Sequence, residues 1–253
     1  MATITRDGVK IYYEDHGSGV AILLTHGYGA TSKMWTGQIE PLTEKYRLIS
    51  WDMRGHGQSD SPADDSSYSE AHCIDDMAAI LDACDVSSAV IGGLSLGGYM
   101  SLAFNLKYRH RVHGLMLFDT GPGYKNDQAR ASWNDMARKR AEVIDAKGLA
   151  SLGSSDEVRV SSHTSAAGLA GAARGMLTQV DDRIIQSLPE ITVPALVLVG
   201  ADDKQFLGAT DYMAIKIPGA SKEIIPNAGH AVNIIQPELF NSAVLSFLGG
   251  MDL

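Results

Sequence analysis

Two cysteines are all that the 253 residues contain. That is too few for a disulfide scaffold, and Cys73 and Cys84 fall in one helical stretch, so both read as reduced and structural. Positive charge is scarce too: 21 Lys and Arg stand against 30 Asp and Glu, a formal net charge of -9. No Lys/Arg run interrupts the acidic balance, which argues against nucleic acid and anionic membrane surfaces as partners. No apolar stretch is long enough to span a bilayer. The opening residues Met1-Ala2-Thr3-Ile4-Thr5-Arg6 lack the apolar segment of a secretory signal, and the cytoplasm is the expected compartment. Neither H-E-x-x-H nor C-x-x-C occurs and the eight histidines are scattered, so neither a metal nor a cofactor is expected.

What is present suits one α/β domain. Hydrophobic residues make up 45% and charged residues 20%, the range of a globular chain whose length allows one large core. Val9 to Glu14 partly alternates and reads as an antiparallel strand near a sheet edge. Short apolar runs follow at Ala21 to Thr25, Tyr46 to Trp51, Ala89 to Gly92, Val112 to Phe118 and Ala195 to Val199. Such runs are typical of strands covered on both faces. Helical stretches separate them. In Tyr68 to Cys84, Ile74, Met77, Ala78, Leu81 and Cys84 recur near a 3.6 period, with Asp75, Asp76 and Asp82 between them. Leu96 to Tyr108 and Phe206 to Ile217 also read as helices. The alternation implies βαβ units and a mostly parallel, doubly wound sheet.

From Gly121 to Val193 no strand is evident, while Asp127 to Ala146 and Ser165 to Val180 look helical. A structureless loop of that length is uncommon, so residues 121–193 are expected to form a helical cap insertion on a core of residues 1–120 and 194–253. Inserts at carboxyl strand ends cover the binding crevice. The insertion has one Trp and one Tyr, too little apolar surface for an interfacial lipase. A small pocket of mixed polarity follows, with Tyr28, Tyr99, Trp133 and Phe206 as expected lining.

The strongest local signal is Gly93-Leu94-Ser95-Leu96-Gly97 after the strand Ala89-Val90-Ile91-Gly92. A strand, a sharp turn and a helix expose the serine hydroxyl at a strained tip. The hydroxyl needs a base, and His230 in Pro226-Asn227-Ala228-Gly229-His230 lies on a turn-rich loop after an apolar stretch. His72 sits inside a helix, and His110 and His113 flank a strand entrance at the far end of the sheet. The base in turn needs a carboxylate. Asp202 and Asp203 both follow the strand ending at Val199, Asp119 follows Phe118, and spacing does not choose among them. An oxyanion site needs preorganised N–H donors; the main chains of Leu96 and of Tyr28 in His26-Gly27-Tyr28-Gly29 are the candidates.

Taken together, these segments resemble the α/β-hydrolase superfamily over nearly the whole chain. His26 to Gly29 resembles its oxyanion loop, Asp52-Met53-Arg54-Gly55-His56-Gly57-Gln58-Ser59 its turn after the next strand, and Gly93 to Gly97 its nucleophile elbow. The resemblance implies a Ser95, Asp203, His230 triad, favours Asp203 over Asp202 through the family's G-x-x-D run, and gives His26 and His56 structural roles. The expected activity is hydrolysis of small carboxylic esters. Lactonase or C–C bond hydrolase chemistry, and a slow-turnover ligand sensor, are the alternatives. The expected partner is a small-molecule ester or lactone, and the sequence leaves the oligomeric state open. An anionic substrate would need a basic residue in the insertion, where Arg130, Arg138, Arg140, Arg159 and Arg174 are available.

Overall fold

The structure is a computed structural model that describes residues 2–251. Its centre is an eight-stranded sheet in the order β1-β2-β4-β3-β5-β6-β7-β8. The strands are β1 (Ala2–Arg6), β2 (Val9–Gly17), β3 (Ala21–Thr25), β4 (Arg47–Trp51), β5 (Ala89–Leu94), β6 (Val112–Phe118), β7 (Ala195–Gly200) and β8 (Ser221–Ile225). The first two pair antiparallel at one edge, and β3 to β8 run parallel.

Every residue of β3, β5 and β7 is buried, because helices cover both faces. The two-residue period of a strand sends alternate side chains to opposite sides. Leu23, Ile49 and Ile91 therefore join one core with α2 (Glu70–Ala83) and α3 (Leu96–Lys107). Ile22, Leu24, Leu48 and Val90 join the other, with α1 (Thr36–Thr43) and α10 (Pro237–Gly249). The Ser69 hydroxyl caps α2 by accepting from the His72 N–H.

After β3 the chain adds β4 on one side, then crosses back to place β5 on the other. The strand order thus reverses between β3 and β5, and a crevice opens beyond their carboxyl ends. The loop Thr25 to Ala30 and the turn at Ser95 flank that crevice.

Between β6 and β7 the chain forms helices joined by turns and loops, with no strand. It contains α4 (Asp127–Lys147), α5 (Asp156–Arg159), α6 (Ala166–Gly175) and α7 (Arg183–Ser187), with short 3-10 turns. Asn126 caps α4 by accepting from the Ala129 N–H at 2.9 Å. Ala141 and Ile144 of α4 pack against Leu169, Ala170 and Ala173 of α6 as a small separate core. Two further helices follow β7 and β8: α8 (Leu207–Lys216), packed on those two strands, and α9 (Val232–Ile235), packed on α10.

Candidate active site

Ser95 sits between β5 and α3 at φ 55° and ψ -115°, a region that non-glycine residues rarely adopt. Two hydrogen bonds hold it there: its N–H donates to Phe118 O at 2.9 Å, and the Thr120 hydroxyl donates to its carbonyl at 2.6 Å. Glycine is required beside it by close approach. A Cβ on Gly97 would stand 2.1 Å from Thr25 O, and one on Gly93 would stand 2.5 Å from the Gly97 carbonyl carbon. The turn is therefore wedged against the β3 loop, which brings Ser95 beside Gly27.

The β3 loop leaves the Tyr28 N–H without an acceptor among the described residues. Ala30 N–H donates to Gly27 O across a tight turn, and Gly29 N–H donates to His56 Nε2 at 3.2 Å. Tyr28 lies between them, and its ring is drawn away by a hydroxyl bond to Leu169 O at 2.8 Å. The Arg140 guanidinium lies 5.0 Å from the same ring. The Tyr28 main chain stays at the turn while its side chain belongs to α6. Leu96 opens α3, so its N–H has no acceptor one turn earlier in the helix.

Two buried histidines and the half-buried His163 brace this corner. His26 Nδ1 donates to Gly27 O at 2.7 Å and its Nε2 accepts from Met53 N–H. His56 Nδ1 donates to Arg54 O. His163 Nε2 donates to Gly29 O, and its Nδ1 accepts from Gly57 N–H. Every ring thus has one donor and one acceptor nitrogen in use, which requires the neutral form. Burial agrees: it pushes His26 down to about 4 and lowers His56 and His163.

His230 and Asp203 meet on the loops after β8 and β7. His230 Nδ1 donates to Asp203 Oδ2 at 2.7 Å. The Phe206 ring stacks on the imidazole at 5.2 Å between centroids, and the Phe206 N–H ties back to Asp203 O. Asp202 is exposed, and its N–H bonds to Ala228 O. Asp119 is fully buried beside the pair, and oxygens of both carboxyls and an imidazole nitrogen lie within 4.8 Å of one another. Its Oδ1 accepts from Gly200 N–H at 2.9 Å, while Oδ2 has no partner. Burial, reinforced by Asp203, pushes the Asp119 carboxyl up to about 9, so it is protonated at neutral pH.

A cavity of about 270 Å³ opens at Ser95. Leu96, Tyr99, Trp133 and Phe206 are in its wall together with Tyr124 and Leu177, and none of its lining residues carries a charge. Tyr28, expected there from the sequence, is not among them, because its ring serves α6. The aromatic tips are committed elsewhere: Tyr99 donates to Glu70 and Trp133 Nε1 donates to Leu177 O at 2.8 Å. Their rings give the cavity apolar walls. The arginines of the helical segment do not line it. Arg130, Arg138 and Arg159 pair with Asp127, Asp135 and Asp156, and Arg174 pairs with Asp145. Sequence reasoning missed Thr120, Gln179 and Gln205 as wall residues.

A parallel sheet, a strained serine at a strand-to-helix turn and a histidine–aspartate pair on later loops together define a class. The family model described as alpha/beta hydrolase fold matches residues 20–166, and the chain belongs to the α/β-hydrolase family. A Bacillus subtilis (strain 168) protein provisionally named 2-succinyl-6-hydroxy-2,4-cyclohexadiene-1-carboxylate synthase is 30% identical, with 96% of each chain covered. The 3-oxoadipate enol-lactonase 1 of Acinetobacter baylyi is also 30% identical, over 87% of this chain and 85% of that one. Among solved structures, a thermophilic esterase from Thermogutta terrifontis with malate bound superposes with a TM-score of 0.85 at 28% identity, covering 98% of this chain and 96% of that one.

Proposed function

We propose that the protein hydrolyses small, uncharged carboxylic esters through an acyl-enzyme on Ser95. The observation that carries this reading is the 2.7 Å His230–Asp203 hydrogen bond, held beneath Phe206, which also walls the cavity at Ser95. Asp203 fixes the Nδ1–H tautomer, leaving Nε2 to take the serine proton. Ser95 Oγ attacks the ester carbonyl, and the Tyr28 and Leu96 N–H groups receive the negative charge that develops on its oxygen. The imidazolium protonates the leaving alcohol, and His230 then activates a water that releases the acid. Among the described residues no hydrogen bond to Ser95 Oγ is present; contacts of this kind commonly tighten only when substrate binds.

In this reading residues 121–193 are the cap and the remainder is the core. The cap supplies Tyr124, Trp133 and Leu177 to the wall, so it shapes the substrate site. About 270 Å³ lies near the lower limit of ordinary ligand sites. An anionic lactone has less support, because an uncharged wall offers no partner for a carboxylate. The names of the Bacillus and Acinetobacter relatives both describe carboxylate-bearing compounds. Both cysteines are free and buried, which fits a reducing cytoplasmic setting.

The test is a parallel screen of short p-nitrophenyl esters, neutral lactones, anionic enol-lactones and ring-cleavage diketones. The proposal expects the short neutral esters to show the highest kcat/KM. Turnover confined to anionic lactones or diketones would reject it, and tight binding with negligible turnover would identify a sensor.

A further inference from the structure

The cavity wall has one buried side chain whose polar end is only half used. Gln179 is 8% exposed, lies in the turn after α6 and lines the cavity beside Tyr124. Its main chain is clamped at both groups by Asn134, which donates to Gln179 O at 2.9 Å and accepts from Gln179 N–H at 2.8 Å. Its side-chain Oε1 accepts from the Tyr124 N–H at 3.2 Å. A backbone N–H can bond only to the oxygen of a carboxamide, so this contact fixes which way the amide faces. The Nε2 group then remains as the donor end, and among the described residues it has no hydrogen-bond partner.

Three other polar side chains of the wall are spent or outside. The Thr120 hydroxyl donates to Ser95 O, the Tyr99 hydroxyl donates to Glu70, and Gln205 is exposed. Away from the Ser95 hydroxyl and the Leu96 N–H that serve the reacting carbonyl, the uncharged cavity therefore presents the Gln179 Nε2 group as a fixed side-chain N–H donor. A substrate that displaces water from this donor must supply an acceptor in its place, so the site discriminates between molecules that have one and those that lack it.

Resting on the ester-hydrolase reading, we propose that Gln179 reads the substrate. Its Nε2 donates to an ether or keto oxygen carried by the neutral acyl group that the cavity holds. The preferred substrates are oxygen-bearing short-chain esters rather than plain alkanoates or carboxylate-bearing acyl groups. Gln179 acts on which substrate is held, and takes no part in bond making.

The experiment compares p-nitrophenyl pentanoate and butyrate with their oxa analogues, in which an ether oxygen replaces one methylene at each successive position. Dividing kcat/KM of each analogue by that of its all-carbon partner, and then comparing wild type with Gln179→Leu, cancels the intrinsic reactivity of the ester. For at least one oxygen position that ratio is expected to fall about ten-fold or more in the variant. Gln179→Met, which keeps chain length without a donor, gives the same loss and serves if the leucine variant does not fold. Mono-p-nitrophenyl glutarate tests the uncharged wall without any variant. It is expected to react at least about ten-fold more slowly than the pentanoate. Equal ratios in wild type and both variants at every oxygen position overturn the role of Gln179, and a preference for glutarate overturns the neutral substrate class. Either result leaves ester hydrolysis itself standing, whereas a protein that hydrolyses none of the series refutes the underlying reading.

Discussion

Replacing Asp119 by Asn is expected to stabilise the protein, by an amount that depends on pH in a calculable way. In the unfolded chain an aspartate gives up its proton near about 3.9. In the folded protein burial raises that value to about 9. Between the two, the native state holds a proton that the unfolded state has lost. The favourable contribution is therefore complete below about pH 4, declines as pH rises, and levels off above about 9. At pH 7 the difference is about three pH units, or about 4 kcal/mol of lost stability at about 1.4 kcal/mol each. Asparagine matches the protonated acid in shape, never charges, keeps an oxygen for the Gly200 N–H and tolerates the φ of 42°. For a chain of this size each kcal/mol is worth about 2–4 °C. Thermal unfolding followed by circular dichroism should then show wild type and Asp119→Asn together at pH 4 and apart by about 8–16 °C at pH 7. A gap that is constant from pH 4 to pH 8, or a variant less stable at pH 7, would mean that Asp119 is ionised in the fold.

The His26, His56 and His163 cluster gives the opposite pH dependence. Their folded values are depressed, so their contribution is whole above about 6.5 and is lost as pH falls; His26 alone accounts for about 3 kcal/mol by pH 4. A urea midpoint unchanged between pH 7 and pH 4.5 would contradict this. Asp203→Asn should lower kcat by about 10⁴-fold through the wrong His230 tautomer, while Asp202→Asn changes it little; the reverse ranking in steady-state kinetics would move the acid to Asp202. In a p-nitrophenyl series from acetyl to palmitoyl, rates should peak among the short chains with no jump at the micellar threshold, since each methylene left in water forfeits about 0.8 kcal/mol. A maximum at palmitoyl would show that the site opens far wider than a cavity of about 270 Å³.

The parallel strands were legible because a strand covered on both faces has to be apolar throughout, as Ala21 to Thr25 and Ala195 to Val199 are. The edge strand β8 was not read as a strand, only as an apolar stretch before the His230 loop, since four of its five residues are exposed. The elbow was legible because steric crowding at Ser95 forces glycine at positions 93 and 97, leaving a mark in the sequence. Asp203 could not be told from Asp202 by spacing: adjacent residues differ in where the turn aims them, and Asp203 alone meets His230. Tyr28 was expected to help line the pocket, but its hydroxyl finds Leu169 O, a partner 141 residues away. Gln179 gave no signal at all. Its partners Tyr124 and Asn134 lie 55 and 45 residues distant, and an isolated glutamine in a helical segment looks like any solvated side chain.

The central claim, a covalent acyl-enzyme on Ser95, is tested most directly by trapping. The protein is incubated with a short-chain fluorophosphonate, measured intact by mass spectrometry, and digested to locate the adduct. One equivalent is expected to add, on the peptide bearing Ser95, with ester hydrolysis lost in proportion and neither change occurring in a folded Ser95→Ala variant. An adduct on any other residue, or undiminished hydrolysis by Ser95→Ala, would contradict the account.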